Sequence, residues 1–172
     1  MVSLKRMLTA CLAAGALLAA THAASAATAT AALTVSVTVA PTCTVAANPL
    51  LFGTYYPGNG ALHADTTLSV RCSRGAAFTV AMDAGAGGGT LAQRLMAQGA
   101  AHLQYNIYTS AARTTVWGDG SVSSAVVAGL GKGLASGQAI AETVYGVLPD
   151  SAANQQLPPG LYTDTVLVTI SY

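Results

Sequence analysis

Charge is what this sequence has least of. Only 8% of its 172 residues are Asp, Glu, Lys or Arg, against about 25% in an ordinary globular domain. Beyond residue 26 the cations are Arg71, Arg74, Arg94, Arg113 and Lys132, thinly spread and opposed by six carboxylates. That excludes the basic footprint that nucleic acid or an anionic lipid surface would need, so no nucleic-acid partner is expected. Histidine is as scarce. His22 lies in the leader, and His63 and His102 stand alone, with no HxxxH or HExxH pair to build a zinc site. The carboxylates also occur singly, and Asp164 reads as a turn or edge hydrogen-bonding residue. Gly85 to Gly89 and Gly129-Leu130-Gly131-Lys132-Gly133 fail as phosphate loops: residue 133 is Gly where Ser or Thr is required, and neither run lies in a βαβ context. Both read as flexible turns. With no catalytic, metal or cofactor constellation in sight, an enzyme is not expected.

Cysteine is rare but placed. Cys11 falls in the leader, leaving Cys43 and Cys72, and two lone cysteines in an exported chain read as one disulfide. Export is indicated by the first 26 residues. Lys5 and Arg6 precede an apolar stretch from Met7 to Ala20, and Ala24-Ser25-Ala26 offers a small-x-small cleavage site. The apolar run is shorter than the roughly 20 residues of a membrane-spanning helix.

What the chain does have is small and β-branched residues in alternation. Leu33, Val35, Val37 and Val39 point one way while Thr34, Ser36 and Thr38 point the other. Further strands are predicted at Cys43 to Ala47, Leu50 to Phe52, Thr67 to Cys72, Phe78 to Met82, Leu103 to Tyr108, Glu142 to Leu148 and Tyr162 to Tyr172. Gly and Pro punctuate the intervals, and one helical turn is predicted around Leu91 to Ala97. An all-β sandwich follows. The segment from Ala27 to Val39 has no charge, Pro or Gly. It is either the first strand of its own sandwich or a strand added to the sheet edge of another copy. The sole Trp117 reads as a packing residue at a hairpin, with a carbohydrate platform as the other option.

Several of these pieces carry a resemblance. Cys43 with Phe52-Gly53-Thr54-Tyr55, Leu68-Ser69-Val70-Arg71-Cys72, Arg94-Leu95-Met96 after the Gly85 loop, and Leu103 to Tyr108 come first. Val116 to Gly120, Thr143 to Gly146, Gly160 to Val166 and Val168-Thr169-Ile170 follow in order. Across residues 33–172 the chain resembles the spore coat protein U domain family, which includes subunits of archaic chaperone–usher pili. The resemblance implies a single incomplete immunoglobulin-like β-sandwich lacking its last strand, with an N-terminal donor strand. On that reading residues 1–26 are a signal peptide, 27–40 the donor-strand segment and 41–172 the sandwich. Leu33, Val35, Val37 and Val39 would fill a neighbouring subunit's groove. A periplasmic chaperone would first occupy that groove, and an outer-membrane usher would direct the exchange. The expected product is a secreted surface pilus serving adhesion or biofilm formation. The alternative is a monomeric spore- or cell-coat protein, or a carbohydrate-binding surface protein using Trp117 and loop tyrosines.

Overall fold

The computed structural model describes residues 26–172; the signal peptide expected at residues 1–26 lies, but for its last residue, outside the described residues. The chain divides between Val37 and Thr38. Residues 26–42 form no ladder, and the expected strand at Leu33 to Val39 is absent as such. The four apolar side chains of that stretch are all more than four-fifths exposed, from 84% at Val35 to 88% at Leu33.

The body is built of eight strands: β1 (Cys43–Ala47), β2 (Leu62–Cys72), β3 (Ala77–Met82), β4 (Arg94–Gln98), β5 (Ala101–Tyr108), β6 (Val127–Leu130), β7 (Ile140–Leu148) and β8 (Val168–Ser171). They form a five-stranded sheet in the order β1-β2-β7-β5-β4 and a three-stranded sheet in the order β6-β3-β8, every pairing antiparallel. The alternation decides which face is buried. Leu68, Val70 and Cys72 of β2 and Phe78, Val80 and Met82 of β3 point inward, while the intervening Ser69, Arg71, Thr79 and Ala81 point out. Trp117 fills the centre of this core and is wholly buried, its indole N–H donating to the Val80 carbonyl at 2.9 Å. A ring so enclosed presents no face to a sugar, which removes it as a carbohydrate platform.

The disulfide joins Cys43 to Cys72, opposite residues in the β1–β2 ladder. It locks the start of β1 to the end of β2. Several strand assignments differ from expectation, among them β6, which takes up Gly129 and Leu130 of a predicted flexible turn. The predicted helical turn at Leu91 to Ala97 is instead strand β4, because Gly99-Ala100 forms a two-residue turn that pairs Gln98 with Ala101 and zips β4 onto β5. The predicted Tyr162–Tyr172 strand is laddered only at Val168–Ser171; residues 162–167 keep the strand alternation of exposure but pair on one edge. Leu50 to Phe52 also lacks a ladder.

Candidate functional site

Two extended stretches without full sheet partners face one another across the open seam of the sandwich. The first wall runs from Leu50 to Tyr55, continuing the line of β1. Among the described residues, no backbone amide or carbonyl in it has a hydrogen-bond partner. The second wall runs from Leu161 to Leu167 into β8. Its odd-numbered residues turn their backbone toward the body: Thr163 exchanges both bonds with Ala97, Thr165 accepts from Ala86, and Leu167 accepts from Asp83. The backbone groups of Tyr162, Asp164 and Val166 point the other way and have no backbone partner among the described residues. An unsatisfied edge of this kind is a template for one more strand.

Between the walls lies a groove of about 1270 Å³, above the ~300–1,000 Å³ of ordinary small-molecule pockets. Its floor is apolar and comes from both sheets: Leu68, Met82, Met96, Ile107, Val144 and Leu148. Leu50 and Phe52 of the first wall lean inward over Gly146, where a Cβ would stand 2.8 Å from each. Phe52 meets the Tyr105 ring edge-on at 6.2 Å between centroids.

Polar groups fix the ends and the underside. Asp150 accepts hydrogen bonds from the Tyr55 hydroxyl and from the amides of Gly58 and Gly60, at 3.1 and 2.9 Å, tying the far end of the first wall to the loop after β7. The Tyr55 bond, then the two amides, holds the Asp150 carboxyl down at about 2. Loss of solvent, then the same carboxylate, pushes the Tyr55 phenol up to about 12. Asn154, in the 3-10 turn Asn154–Gln156, supplies Gln104 with what a neighbouring strand would. Its Oδ1 accepts from the Gln104 amide at 2.8 Å and its Nδ2 donates to the Gln104 carbonyl at 2.9 Å.

Beneath the second wall sits a side chain that sequence reasoning passed over. Arg94 is wholly buried. It donates to the Asp83 carbonyl through Nε and Nη2, to the Trp117 carbonyl through Nη2, and to Asn106 Oδ1 through Nη1. Burial lowers its pKa; Tyr105, Asp83 and Asp164 oppose that. The only sign in the sequence was a lone Arg beside Leu and Met after a glycine run, a pattern equally suited to an exposed strand. Asp164 does take an edge role, accepting from Tyr105 Oη at 2.6 Å and from the Gly87 amide at 2.9 Å. Burial, then that bond to Asp164, drives the Tyr105 phenol strongly upward. The Gly85 loop, read from sequence as a flexible turn, is therefore a fitted one: a Cβ at Gly85 would overlap the Asp164 carboxylate. His63 and His102 lie exposed on β2 and β5, away from this site. Among the described residues, no group of three or more His, Cys, Asp or Glu could hold a metal ion.

Fold and site together define an antiparallel β-sandwich open along one seam, with an apolar floor and a free strand edge. The chain belongs to the spore coat protein U domain family, whose family model matches residues 29–169. It is 33% identical over 136 residues to Protein U of Myxococcus xanthus, an alignment covering 72% of this chain and 71% of that protein. Among solved structures it resembles a chain of the CsuC–CsuE chaperone–tip adhesion subunit pre-assembly complex from the archaic chaperone–usher Csu pili of Acinetobacter baumannii. That match has a TM-score of 0.52 at 23% identity and covers 78% of this chain. This chain spans 40% of that one, and the likeness bears on the fold alone.

Proposed function

We propose that this protein is a structural subunit of a secreted surface pilus, assembled by donor-strand exchange through a chaperone–usher pathway and serving adhesion or biofilm formation. The observation that carries the reading is the open groove with a free strand edge, in a chain that also owns an exposed, alternating apolar segment. Leu33 to Val39 spans about 20 Å when extended, and its odd-numbered side chains are the donor residues. Burying them in a second copy would contribute a gross ~1.5–3 kcal/mol each, while the segment's backbone satisfies Tyr162, Asp164 and Val166. Donor and acceptor are different surfaces, so the contact is heterologous and repeats into an open fibre rather than closing into a ring. Until a neighbour arrives, the groove needs a temporary occupant, which gives a periplasmic chaperone its role; an outer-membrane usher would then direct the exchange.

The test is export of the chain carrying Val35→Asp and Val37→Asp. Protein that reaches the cell exterior without forming filaments in negative stain is the expected result. Filaments indistinguishable from the parent's would overturn the donor assignment.

A coat role is the second reading, favoured by the family's description and by the likeness to Protein U. On it the exported protein stays monomeric and sediments as one chain with or without residues 27–40. Both readings are structural, and turnover of a glycan or peptide by the purified chain would count against both.

A further inference from the structure

We infer that Arg94, Tyr105 and Asp164 are positioning residues for the segment that the groove accepts: together they hold the second wall extended with its binding edge free. The inference rests on the groove reading proposed above and adds to it the device that shapes the acceptor.

The second wall would be expected to collapse or fray, since it lacks a strand on one side. Its bonds to the body run largely through the loop that starts at Asp83. Thr165 accepts from Ala86 at 3.0 Å, Leu167 accepts from the Asp83 amide at 3.1 Å, and the Leu167 amide donates to Asp83 Oδ1 at 2.9 Å. That loop reads Asp-Ala-Gly-Ala-Gly-Gly-Gly, a composition with more backbone freedom than any other. Something must therefore hold the loop before it can hold the wall.

Two connections do so. From the core, Arg94 grips the Asp83 carbonyl with Nε at 2.9 Å and Nη2 at 2.7 Å, and is itself fixed at 2.7 Å by both Asn106 Oδ1 and the Trp117 carbonyl. From the groove floor, Tyr105 Oη donates to Asp164 Oδ2, and Asp164 Oδ1 takes the Gly87 amide. The chain of contacts runs from Trp117 and Asn106 through Arg94 and Asp83 to Leu167, and from Tyr105 through Asp164 to Gly87. None of it uses the backbone groups of Tyr162, Asp164 and Val166. The cluster thus spends its hydrogen bonds on the inner edge alone and leaves the outer one for a partner. A wall ordered in advance loses less freedom when a strand arrives, so affinity should depend on the cluster's side-chain hydrogen bonds, none of which is made to the incoming segment.

The experiment uses the full exported chain carrying Val35→Asp and Val37→Asp, so that its own segment does not compete, titrated with a synthetic peptide of residues 27–40. Tyr105→Phe and Asp164→Asn are then added separately; both keep the shape of the groove. The expected result is a Kd for the peptide about tenfold weaker in each. The amides of Ala86, Ala97 and Thr163 should exchange with solvent about tenfold faster, with the Val70 amide in the core unchanged. Unchanged affinity and unchanged exchange in both variants would overturn the inference while leaving the groove reading intact. Faster exchange at Val70 as well would also overturn it, by making the cluster a general support of the fold. A parent chain that takes up no peptide would sink the groove reading, and positioning for a bound segment with it.

Discussion

The wall from Leu50 to Tyr55 is held by its side chains, whereas the wall from Leu161 to Leu167 is held by one edge of its backbone. In the first, Leu50 and Phe52 rest on Gly146 and the floor, and only the Asp150 clasp at the far end is polar. In the second, Leu161 and Leu167 are exposed and Val166 packs against the core, while hydrogen bonds to β4 and the Asp83 loop do most of the holding. Apolar contacts are non-directional, so the first wall can shift to fit the side chains it covers. Hydrogen bonds are directional, so the second fixes a register. On the reading proposed above, an incoming segment would pair with the fixed edge and be packed over by the compliant wall.

The comparison is broken most severely at Arg94. Arg94→Met keeps most of the apolar stem but leaves the buried Trp117 carbonyl and the Asp83 carbonyl without their donor, and Asn106 Oδ1 with the Ile107 amide alone. We expect a loss of about 3–5 kcal/mol in urea denaturation, with the second wall released first. Next comes the disulfide, which pins the start of β1 and hence the approach to the first wall. Cys43→Ser with Cys72→Ser should lower stability by about 3–4 kcal/mol for a bridge spanning 29 residues, read from the denaturation midpoints of the two proteins.

A smaller change sharpens the contrast. Gly146→Ala pushes against the ends of Leu50 and Phe52 and against nothing in the second wall. It should cost about 1–2 kcal/mol and displace the first wall alone, visible as shifted Phe52 and Leu50 resonances with unchanged exchange at Thr163. The smallest effect is expected at Asp150. Its carboxyl is held down at about 2 in the folded protein, against roughly 3.9 for a free Asp. Stability from this group is therefore fully present above about pH 4 and fades as the pH falls toward 2. The thermal midpoints of the parent and Asp150→Asn should differ at neutral pH and converge at about pH 2. A constant gap across that range would mean the clasp does not depend on the charge.

Much of the body was legible in the chain because the period-two rule is local. Leu68, Val70 and Cys72, or Phe78, Val80 and Met82, declare a buried face without knowledge of what covers it. The same rule misjudged the walls. Alternation at Tyr162 to Leu167 is real, yet it reports only which side chains face inward, and nothing about whether a neighbouring backbone is present to complete the ladder. Strand β4 was missed for a related reason: Arg94-Leu95-Met96 has no strong preference, and pairing with β5 across Gly99-Ala100 decided it. The polar cluster was beyond reach. Arg94 looks like any surface cation until Asp83, Asn106 and Trp117, spread over 35 positions of sequence, are brought around it.

By itself, then, the sequence determined an all-β class, the alternating apolar segment and the family resemblance carried by its ordered motifs. It also placed two cysteines where a ladder would set them opposite one another. Those properties follow from side-chain type and short-range spacing, which any stretch of chain carries with it. Tertiary structure decided where the open seam runs and what lines it, that Trp117 is core and no carbohydrate platform, that the glycine loop is fitted around a carboxylate and that a buried Arg braces one wall. Each of these depends on which backbone groups find partners and which side chains lose their water, and only the assembled sheets settle that.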